Sequence, residues 1–388
     1  MTIMAHRVQS FGTTIFAEMT DLALRHNAIN LGQGFPDFPA PQFVKEAATR
    51  AIAADINQYA PSTGRPRLRR AIAAHLHRRY RLEVDPEREI VVTDGATEAL
   101  FAAVQALVNP GDEVVIFEPY YDAYVPDVQM AGGVPRFYPL RPPDWRIDPE
   151  RLAALFNERT RLLILNTPQN PIGKVYDEGE LALIARLCRE HDVVALSDEV
   201  YEQITFDGVR HVPLATLPGM RERTITVSSA GKTFSVTGWK IGWAVAPAPL
   251  AQAIYRAHQF ITFSGAAPLQ EAIAVALETA EERGYYDELR ATYEQKRDFL
   301  GEALEAAGLT PLWPQGTYFI MADISRLGFP DDVAFCRYLA AEVGVAAIPP
   351  SAFYTTPGGG STVARFAFCK TDTALEEAAR RLQQLGRG

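Results

Sequence analysis

The segment SSAGKTFSVTGWK, residues 228–240, places a lysine directly after an apolar strand. Partial burial at that position would lower the pKa of the Lys232 amine and allow it to act as a Schiff-base nucleophile. Ser229 and Lys240 flank this lysine in the sequence, and they could give a hydroxyl group and a cation to one phosphate. Because most lysines are solvated surface residues, the interpretation depends on the other motifs of the chain.

A second candidate is the carboxylate in VVALSDEVY. Asp198 ends an apolar strand, where a carboxylate is costly unless it has a partner. The pyridinium nitrogen of pyridoxal phosphate (PLP) would be a suitable partner, because a carboxylate that keeps this nitrogen protonated makes the ring an electron sink. Tyr201 could hydrogen-bond the phenolic oxygen of the same ring. A helix cap or a structural ion pair would also explain Asp198.

Two further strand ends carry groups that could hold a cofactor. NTPQNPIGK places Asn166 and Asn170 after the strand RLLIL, where an amide could donate to the phenolic oxygen, although Asn-Pro and Gly also favour simple turns. In TDGATEAL a strand, a turn of small residues and a helix follow one another. The backbone N–H groups of Gly95, Ala96 and Thr97 would then form a phosphate site at a helix N-terminus, or an ordinary turn.

Tyr121 and Arg365 could contact flat or anionic groups. Tyr121, in EPYYDAY, could stack on a ring or belong to the core. Arg365 lies in the apolar strand VARFAFCK, where a guanidinium could bind a carboxylate in a bidentate manner. It could equally form an ion pair with one of the 47 acidic residues.

The elements that must position these residues alternate along the chain. From Glu89 onward, short apolar runs alternate with helical patterns, which predicts an α/β fold with a mostly parallel sheet covered by helices. Ligands bind at the carboxyl ends of the strands in such sheets. After Pro268 we predict one long helix to about Gly308 and then a smaller α+β domain. The predicted ranges are 1–40 for an N-terminal segment that packs with the small domain, 41–284 for the large PLP-binding domain and 285–388 for the small domain.

Composition excludes several classes of function. A net charge of −9 argues against a nucleic-acid partner. The three cysteines have no CxxC spacing, so we expect no disulfide framework, no metal site and a reducing, cytoplasmic location. The N-terminus lacks the apolar core of a signal peptide, and no apolar stretch is long enough to span a membrane.

Together, and in this order, these motifs resemble the fold type I, class I/II aminotransferases. The resemblance is strongest to the branch of kynurenine aminotransferase, glutamine transaminase K and methionine aminotransferase. It runs from FAEMTDLA and LGQGFPDFPAP to VARFAFCKTD, and SSAGKTFSVTGWKIGW is its most specific part. Many members of the wider family have arginine at the position of Lys240, and the DGAT turn leaves open whether kynurenine is a good substrate.

The resemblance implies PLP as the cofactor, no metal, and a homodimer that transfers amino groups by a ping-pong mechanism. Lys232 would form the Schiff base, and the other implied cofactor contacts are Gly95, Ala96, Thr97, Tyr121, Asn166, Asn170, Asp198, Tyr201, Ser229, Lys240 and, from the neighbouring subunit, Tyr59. The implied substrate contacts are Gly34, Asn170, Arg365, Phe16, Phe353 and, from the partner chain, Phe263. Such a pocket predicts donors with apolar, aromatic or sulfur-containing side chains, or glutamine or kynurenine, and a 2-oxo acid as the acceptor.

Four other functions are alternatives to this aminotransferase. A cysteine-S-conjugate β-lyase would share every cofactor residue, and an N-succinyl-diaminopimelate aminotransferase would share the scaffold. A non-catalytic effector domain of a transcription regulator would need a DNA-binding module before the family-like sequence, which begins by about Phe16. A nicotinamide dehydrogenase would need a GxGxxG motif after its first strand, and GQGFPD does not have that spacing.

Overall fold

A computed structural model describes residues 3–385, which form a central sheet, two smaller sheets and thirteen α-helices. The strands are β1 Ile29–Asn30, β2 Ile90–Asp94, β3 Glu113–Glu118, β4 Val134–Pro139, β5 Thr160–Asn166, β6 Val194–Asp198, β7 Thr224–Ser229, β8 Ile241–Val245, β9 Thr310–Leu312, β10 Phe319–Asp323, β11 Val345–Ala346 and β12 Val363–Ala367. The helices are α1 Ile15–Arg25, α2 Gln42–Ala53, α3 Pro66–Tyr80, α4 Gly95–Leu107, α5 Tyr124–Met130, α6 Pro149–Ala153, α7 Glu178–Glu190, α8 Ala230–Thr233, α9 Ala248–Ile261, α10 Ala267–Thr279, α11 Tyr285–Ala306, α12 Asp332–Tyr338 and α13 Asp372–Leu382.

The central sheet has seven strands in the order β2-β8-β7-β6-β5-β3-β4. Neighbouring strands are parallel from β7 to β4, whereas β8 is antiparallel to both β2 and β7. Every residue of β3 and β7 is buried, and β3 contains the continuous apolar run VVIF that is typical of a strand covered on both faces. The predicted mostly parallel, mixed sheet is confirmed.

The helices begin at recognisable sequence signals. Asp177 and Glu180 form a reciprocal capping box at the start of α7, and the side chains of Thr14 and Thr371 cap α1 and α13. A proline at the first turn starts α3, where a missing N–H costs nothing.

The C-terminal part of the chain builds the two smaller sheets. β10 lies between β9 and β12 in an antiparallel sheet, and β1 pairs in parallel with β11. One hydrophobic cluster joins Met19 and Leu31 to Phe335 and Leu375, so the N-terminal segment packs with C-terminal elements. The division into domains at residues 40 and 284 stays a prediction.

The structure differs from the sequence-based expectation in the long helix and at the edge of the central sheet. The single helix expected from Pro268 to about Gly308 is two helices, α10 and α11, because the chain turns between them and Gly284 adopts φ +68. The strand β4 was not predicted, because it lies at the sheet edge, is only partly buried and contains Pro135.

The carboxyl ends of neighbouring strands bring polar residues to one edge of the central sheet. Asn166, Asp198 and Ser229 are the last residues of β5, β6 and β7. Asp94 is the last residue of β2, immediately before the turn into α4. This turn packs on β8 at Gly242, where a Cβ atom would lie 2.4 Å from the carbonyl carbon of Gly95.

We expect Gly242→Ala to lower the free energy of unfolding by about 1–3 kcal/mol, because the added methyl group overpacks the contact between β8 and the turn. Urea denaturation measures this change. Gly12→Ala is the matched control, since nothing lies within 4 Å of its added Cβ. Equal effects of the two substitutions would contradict the close approach of β8.

Candidate active site

The predicted site residues converge on one cavity of about 330 Å³ at the carboxyl edge of the central sheet. The predicted residues that line it are Phe16, Gly34, Gly95, Ala96, Thr97, Tyr121, Asn166, Asn170, Asp198, Tyr201, Ser229, Lys232, Lys240 and Arg365. Phe353, Tyr59 and Phe263 do not line it. The cavity therefore gathers groups that are as much as 349 positions apart in the chain, from Phe16 to Arg365.

Lys232 lies in the short helix α8, directly after β7. Its Nζ atom is 3.5 Å from the carbonyl oxygen of Gly34 and faces the rings of Tyr201 and Tyr318. Burial lowers the pKa of the Lys232 amine to about 8. A large fraction of the amine is therefore neutral under mildly alkaline conditions, as a nucleophile requires.

Asp198 is buried at the end of β6, and its Oδ2 atom accepts a hydrogen bond of 2.7 Å from the hydroxyl group of Tyr124. Burial raises the pKa of this carboxyl group to about 6, and the Tyr124 hydrogen bond opposes the rise. Sequence reasoning missed Tyr124. Its position three residues after Tyr121 puts it at the start of α5, and no other signal marked it.

The turn between β2 and α4 has the geometry of an anion site. Gly95 adopts φ +79, and a Cβ atom there would lie 2.9 Å from the Nζ atom of Lys240. The N-terminus of α4, the hydroxyl group of Ser229 and the Lys240 ammonium thus face one end of the cavity. Thr237 also lines this end and was missed by sequence reasoning. A phosphate fits such a cradle.

Arg365 is only 1% exposed, yet no acidic side chain of residues 3–385 forms an ion pair with it. Its Nη atoms donate to Asn170 Oδ1 at 3.1 Å and to the carbonyl oxygen of Gly32 at 2.6 Å, and its Nε atom has no partner. Burial lowers the pKa of the guanidinium to about 10. The ion pair considered as an alternative is absent, so the cation can accept an anionic ligand.

Aromatic rings surround this guanidinium. Its centre is 4.2 Å from the ring centroid of Phe319, 5.1 Å from that of Phe16 and 5.5 Å from that of Phe353. Phe353 is buried beneath Phe16, with 5.6 Å between the two ring centroids. Phe319 was not predicted as a site residue, because a phenylalanine at the start of an apolar strand reads as core.

Asn166 and Asn170 have different partners. The Asn166 amide donates to the carbonyl oxygen of Asp198 at 2.9 Å and accepts from the backbone N–H of Asn170 at 2.7 Å. The Asn170 amide oxygen accepts from Arg365, and Asn170 lines the cavity. Both residues line the cavity, one N–H of the Asn166 amide bonds the Asp198 carbonyl oxygen, and the expected donation of the amides to a ligand stays a prediction.

Two tyrosines shape the walls of the cavity. Tyr121 lies edge to face with Tyr124, at 5.7 Å between ring centroids, and burial raises the pKa of its hydroxyl group to about 12. Tyr201 packs edge to face against Tyr318 at 5.2 Å, and burial raises its pKa above the ordinary range. Tyr318 donates a 2.6 Å hydrogen bond to the carbonyl oxygen of Gly34 and was missed by sequence reasoning.

Tyr59 and Phe263 lie together on the surface, outside the cavity of their own chain. Their ring centroids are 5.4 Å apart, and Tyr59 is 83% exposed. Phe260 and Ile261 on the same side of the fold are also exposed. An exposed cluster of large apolar side chains is typical of an interaction surface.

Within residues 3–385 there is no group of three or more His, Cys, Asp or Glu side chains that could hold a metal ion. None of the helices in this part of the chain is long and apolar enough to cross a membrane.

The sequence is similar to aminotransferases over nearly its whole length. It is 43% identical to the kynurenine–oxoglutarate transaminase of Dictyostelium discoideum, in a match that covers 98% of this chain and 95% of the relative. It is 45% identical to the methionine aminotransferase of Escherichia coli (strain K12), with 98% and 97% covered. It is 46% identical to a probable N-succinyldiaminopimelate aminotransferase of Mycobacterium tuberculosis, with 98% of both covered.

The fold is similar to those of solved structures of two of these enzymes. The Escherichia coli structure, described as having a methionine aminotransferase function, superposes with a TM-score of 0.95 over 99% of this chain and 100% of its own, at 45% identity. The structure of the N-succinyldiaminopimelate aminotransferase from Mycobacterium tuberculosis superposes with a TM-score of 0.95 over 98% of this chain and 100% of its own, at 47% identity. These relatives confirm the expected fold type I architecture and the dependence on PLP. Residues 26–382 match the family described as aminotransferase class I and II, and the chain belongs to that family.

Proposed function

We propose that this PLP-dependent aminotransferase takes amino groups from L-amino acids with apolar, aromatic or sulfur-containing side chains, or from glutamine or kynurenine. The observation that carries this proposal is Arg365, a buried guanidinium without an acidic partner that lies against Phe16 and Phe319. A guanidinium suits the α-carboxylate that every amino acid has, and the rings suit an uncharged side chain. The names of the methionine and kynurenine relatives support the same substrate class.

The groups at the strand ends would hold the two polar ends of PLP. Its phosphate would lie against the backbone N–H groups of residues 95–97, with Ser229 and Lys240 adding a hydroxyl group and a cation. Asp198 would keep the ring nitrogen protonated, and its own hydrogen bond from Tyr124 favours the ionised carboxylate this requires. When bound, PLP supplies a ring that stabilises negative charge at the substrate Cα atom.

The remaining cavity residues would orient the ring. Tyr201 and Asn170 would donate to its phenolic oxygen, and Tyr121 would stack on its face. Asn166 acts through the backbone, since its amide fixes both the end of β6 and the N–H of Asn170.

Lys232 would attach PLP covalently and then move the proton at the substrate Cα atom. An amine with a pKa of about 8 can both remove and return a proton near neutral pH. Arg365, Asn170 and the backbone at Gly34 would hold the α-carboxylate, so that the Cα hydrogen faces the lysine. The donor amino acid would leave as a 2-oxo acid while the enzyme keeps its amino group. A second 2-oxo acid, the acceptor, would then receive this amino group, which is a ping-pong sequence.

We further propose a homodimer in the cytoplasm. Tyr59 and Phe263 are predicted to reach the partner's site, and their exposure in the single chain supports this. The location is supported by the three cysteines, all of which are buried and unpaired.

A second candidate is transamination of N-succinyl-diaminopimelate. The relative of that name is 46% identical, close to the 45% of the methionine aminotransferase. Its substrate carries carboxylates beyond the α-carboxylate, and these would need a cation besides Arg365. A substrate panel that contains this compound distinguishes the two candidates.

Lys232→Ala should abolish the borohydride-fixed attachment of PLP and the transaminase activity, because no other amine occupies its place at the end of β7. In the apoprotein, the rate of PLP capture should rise with pH through about 8, since only the neutral amine is nucleophilic. Mass spectrometry after reduction measures the attachment. Lys45→Ala, at an exposed lysine, is the control. A labelled and active Lys232→Ala protein would disprove the assignment.

Asp198→Asn should reduce the transamination rate on the order of 10²-fold or more, as for other lost electrostatic stabilisers. An amide cannot keep the ring nitrogen protonated, whereas the hydrogen bond from Tyr124 can persist. Single-turnover rates and the PLP dissociation constant are the measurements. Asp192→Asn changes a carboxylate on the surface and should leave both unchanged. An effect of Asp198→Asn below about threefold would make the residue structural only.

Methionine should exceed aspartate as the amino donor by about tenfold to a hundredfold in kcat/KM, because burying one apolar side chain among the rings contributes roughly 1.5–3 kcal/mol. The distal carboxylate of aspartate would lose its hydration without gaining a cation. Half-reaction spectra for both amino acids measure the ratio. A tenfold preference for aspartate would contradict the proposed pocket.

A further inference from the structure

A buried histidine joins two segments that the proposed function assigns to different active sites. His258, in α9, is completely buried between α4 and the loop at residues 59–64. Its Nδ1 atom is 2.7 Å from a carboxylate oxygen of Glu98, and its Nε2 atom is 2.8 Å from the carbonyl oxygen of Ser62. We call this arrangement the His258–Glu98 bridge.

Both partners of the imidazole can only accept hydrogen bonds. A backbone carbonyl has no proton to give, and neither has an ionised carboxylate. Burial by itself would raise the pKa of Glu98, but its hydrogen bonds, led by the one from His258, lower it. His258 is therefore the donor in this arrangement, and removing either partner would leave a buried polar group unpaired, which is the costly case.

At one end, the bridge fixes the turn proposed to bind phosphate. Glu98 lies in the first turn of α4, and its second carboxylate oxygen accepts the backbone N–H of Asp94. The residues between Asp94 and Glu98 line the cavity, and their backbone N–H groups are those proposed to bind phosphate.

At the other end, the bridge fixes the loop that carries Tyr59. His258 holds the loop at Ser62, and the hydroxyl group of Ser264 donates to the carbonyl oxygen of Ala60 at 2.9 Å. Tyr59 packs against Phe263 and is 83% exposed, so the position of its hydroxyl group depends on how firmly the loop is held.

We infer that the His258–Glu98 bridge positions Tyr59 for the neighbouring subunit while it shapes the phosphate turn of its own subunit. This inference rests on the proposed homodimer with shared active sites. His258 and Glu98 contact neither cofactor nor substrate and act as positioning residues. Breaking the bridge in one subunit should therefore weaken PLP binding in the active site of the neighbouring subunit. To that site the altered subunit contributes only Tyr59 and the residues around it.

Mixed dimers test this effect across the interface. One subunit carries Lys232→Ala, so that PLP attaches covalently only to the unaltered partner, whose absorbance reports its own site. Adding His258→Phe to the Lys232→Ala subunit should raise the PLP dissociation constant of the partner's site roughly tenfold, about the effect of losing one hydrogen bond to a charged group. Glu98→Gln, placed in the same subunit instead of His258→Phe, should also raise this dissociation constant. An unchanged constant for both variants overturns the inference.

Control variants in the same subunit separate the possible failures. His191→Phe alters a histidine that packs on Phe156 and should leave the constant unchanged. Tyr59→Phe should raise it. If Tyr59→Phe raises the PLP dissociation constant and the bridge variants do not, the inference is wrong, but the proposal of an active site shared between subunits is supported. If Tyr59→Phe has no effect, the shared site fails and the inference with it.

A double variant distinguishes positioning from general distortion. If His258 acts through Tyr59, then Tyr59→Phe together with His258→Phe should weaken PLP binding in the partner no more than Tyr59→Phe alone. Additive losses would mean that His258→Phe distorts the interface as a whole, and they would overturn the inference.

Discussion

The cost of removing charge from water governs this site. Asp198 and Arg365 are buried and Lys232 is partly buried around one cavity, and within residues 3–385 neither cation has a carboxylate in direct contact. Such groups are unfavourable in an apolar interior unless a partner arrives. Burial moves the pKa of the lysine to about 8 and that of the aspartate to about 6, so both groups can exchange protons near neutral pH. A ligand that brings an aldehyde for the lysine, a ring nitrogen for the aspartate and a carboxylate for the arginine would complement all three groups.

The mixed sheet makes this concentration of charge possible. In parallel neighbours the carboxyl ends meet at one edge, and here β5, β6 and β7 end at Asn166, Asp198 and Ser229. The backbone at these ends is held by the sheet ladder, so the side chains start from fixed positions. The antiparallel strand β8 begins at the same edge, where Lys240 precedes it and Gly242 permits contact with the turn before α4.

Residues at strand ends could be predicted from the sequence, because an apolar run followed by a polar residue identifies them without knowledge of the fold. Tyr124, Tyr318 and Phe319 could not be predicted in this way. They are aromatic residues of the kind that usually fill a core, and only tertiary packing brings Phe319 to the cavity and the hydroxyl groups of Tyr124 and Tyr318 to Asp198 and Gly34. The backbone contacts of Asn166 could not be predicted for a related reason, since the sequence does not reveal that its amide donates to the carbonyl oxygen of Asp198 and accepts from the backbone N–H of Asn170.

The groups proposed for cofactor chemistry and those proposed for substrate choice lie mostly in different parts of the molecule. Most groups proposed to hold PLP lie at or directly after the strand ends of the central sheet, whereas Phe16, proposed to contact the substrate, comes from α1 and Phe263 from the surface. Gln33 ties α1 in place by donating to the carbonyl oxygen of Phe16 and to the hydroxyl group of Thr20. Relatives named for methionine, kynurenine and N-succinyldiaminopimelate are all 43–46% identical to this chain. One rigid sheet can therefore serve several substrates, because changes in α1 or at the surface leave the strand ends untouched.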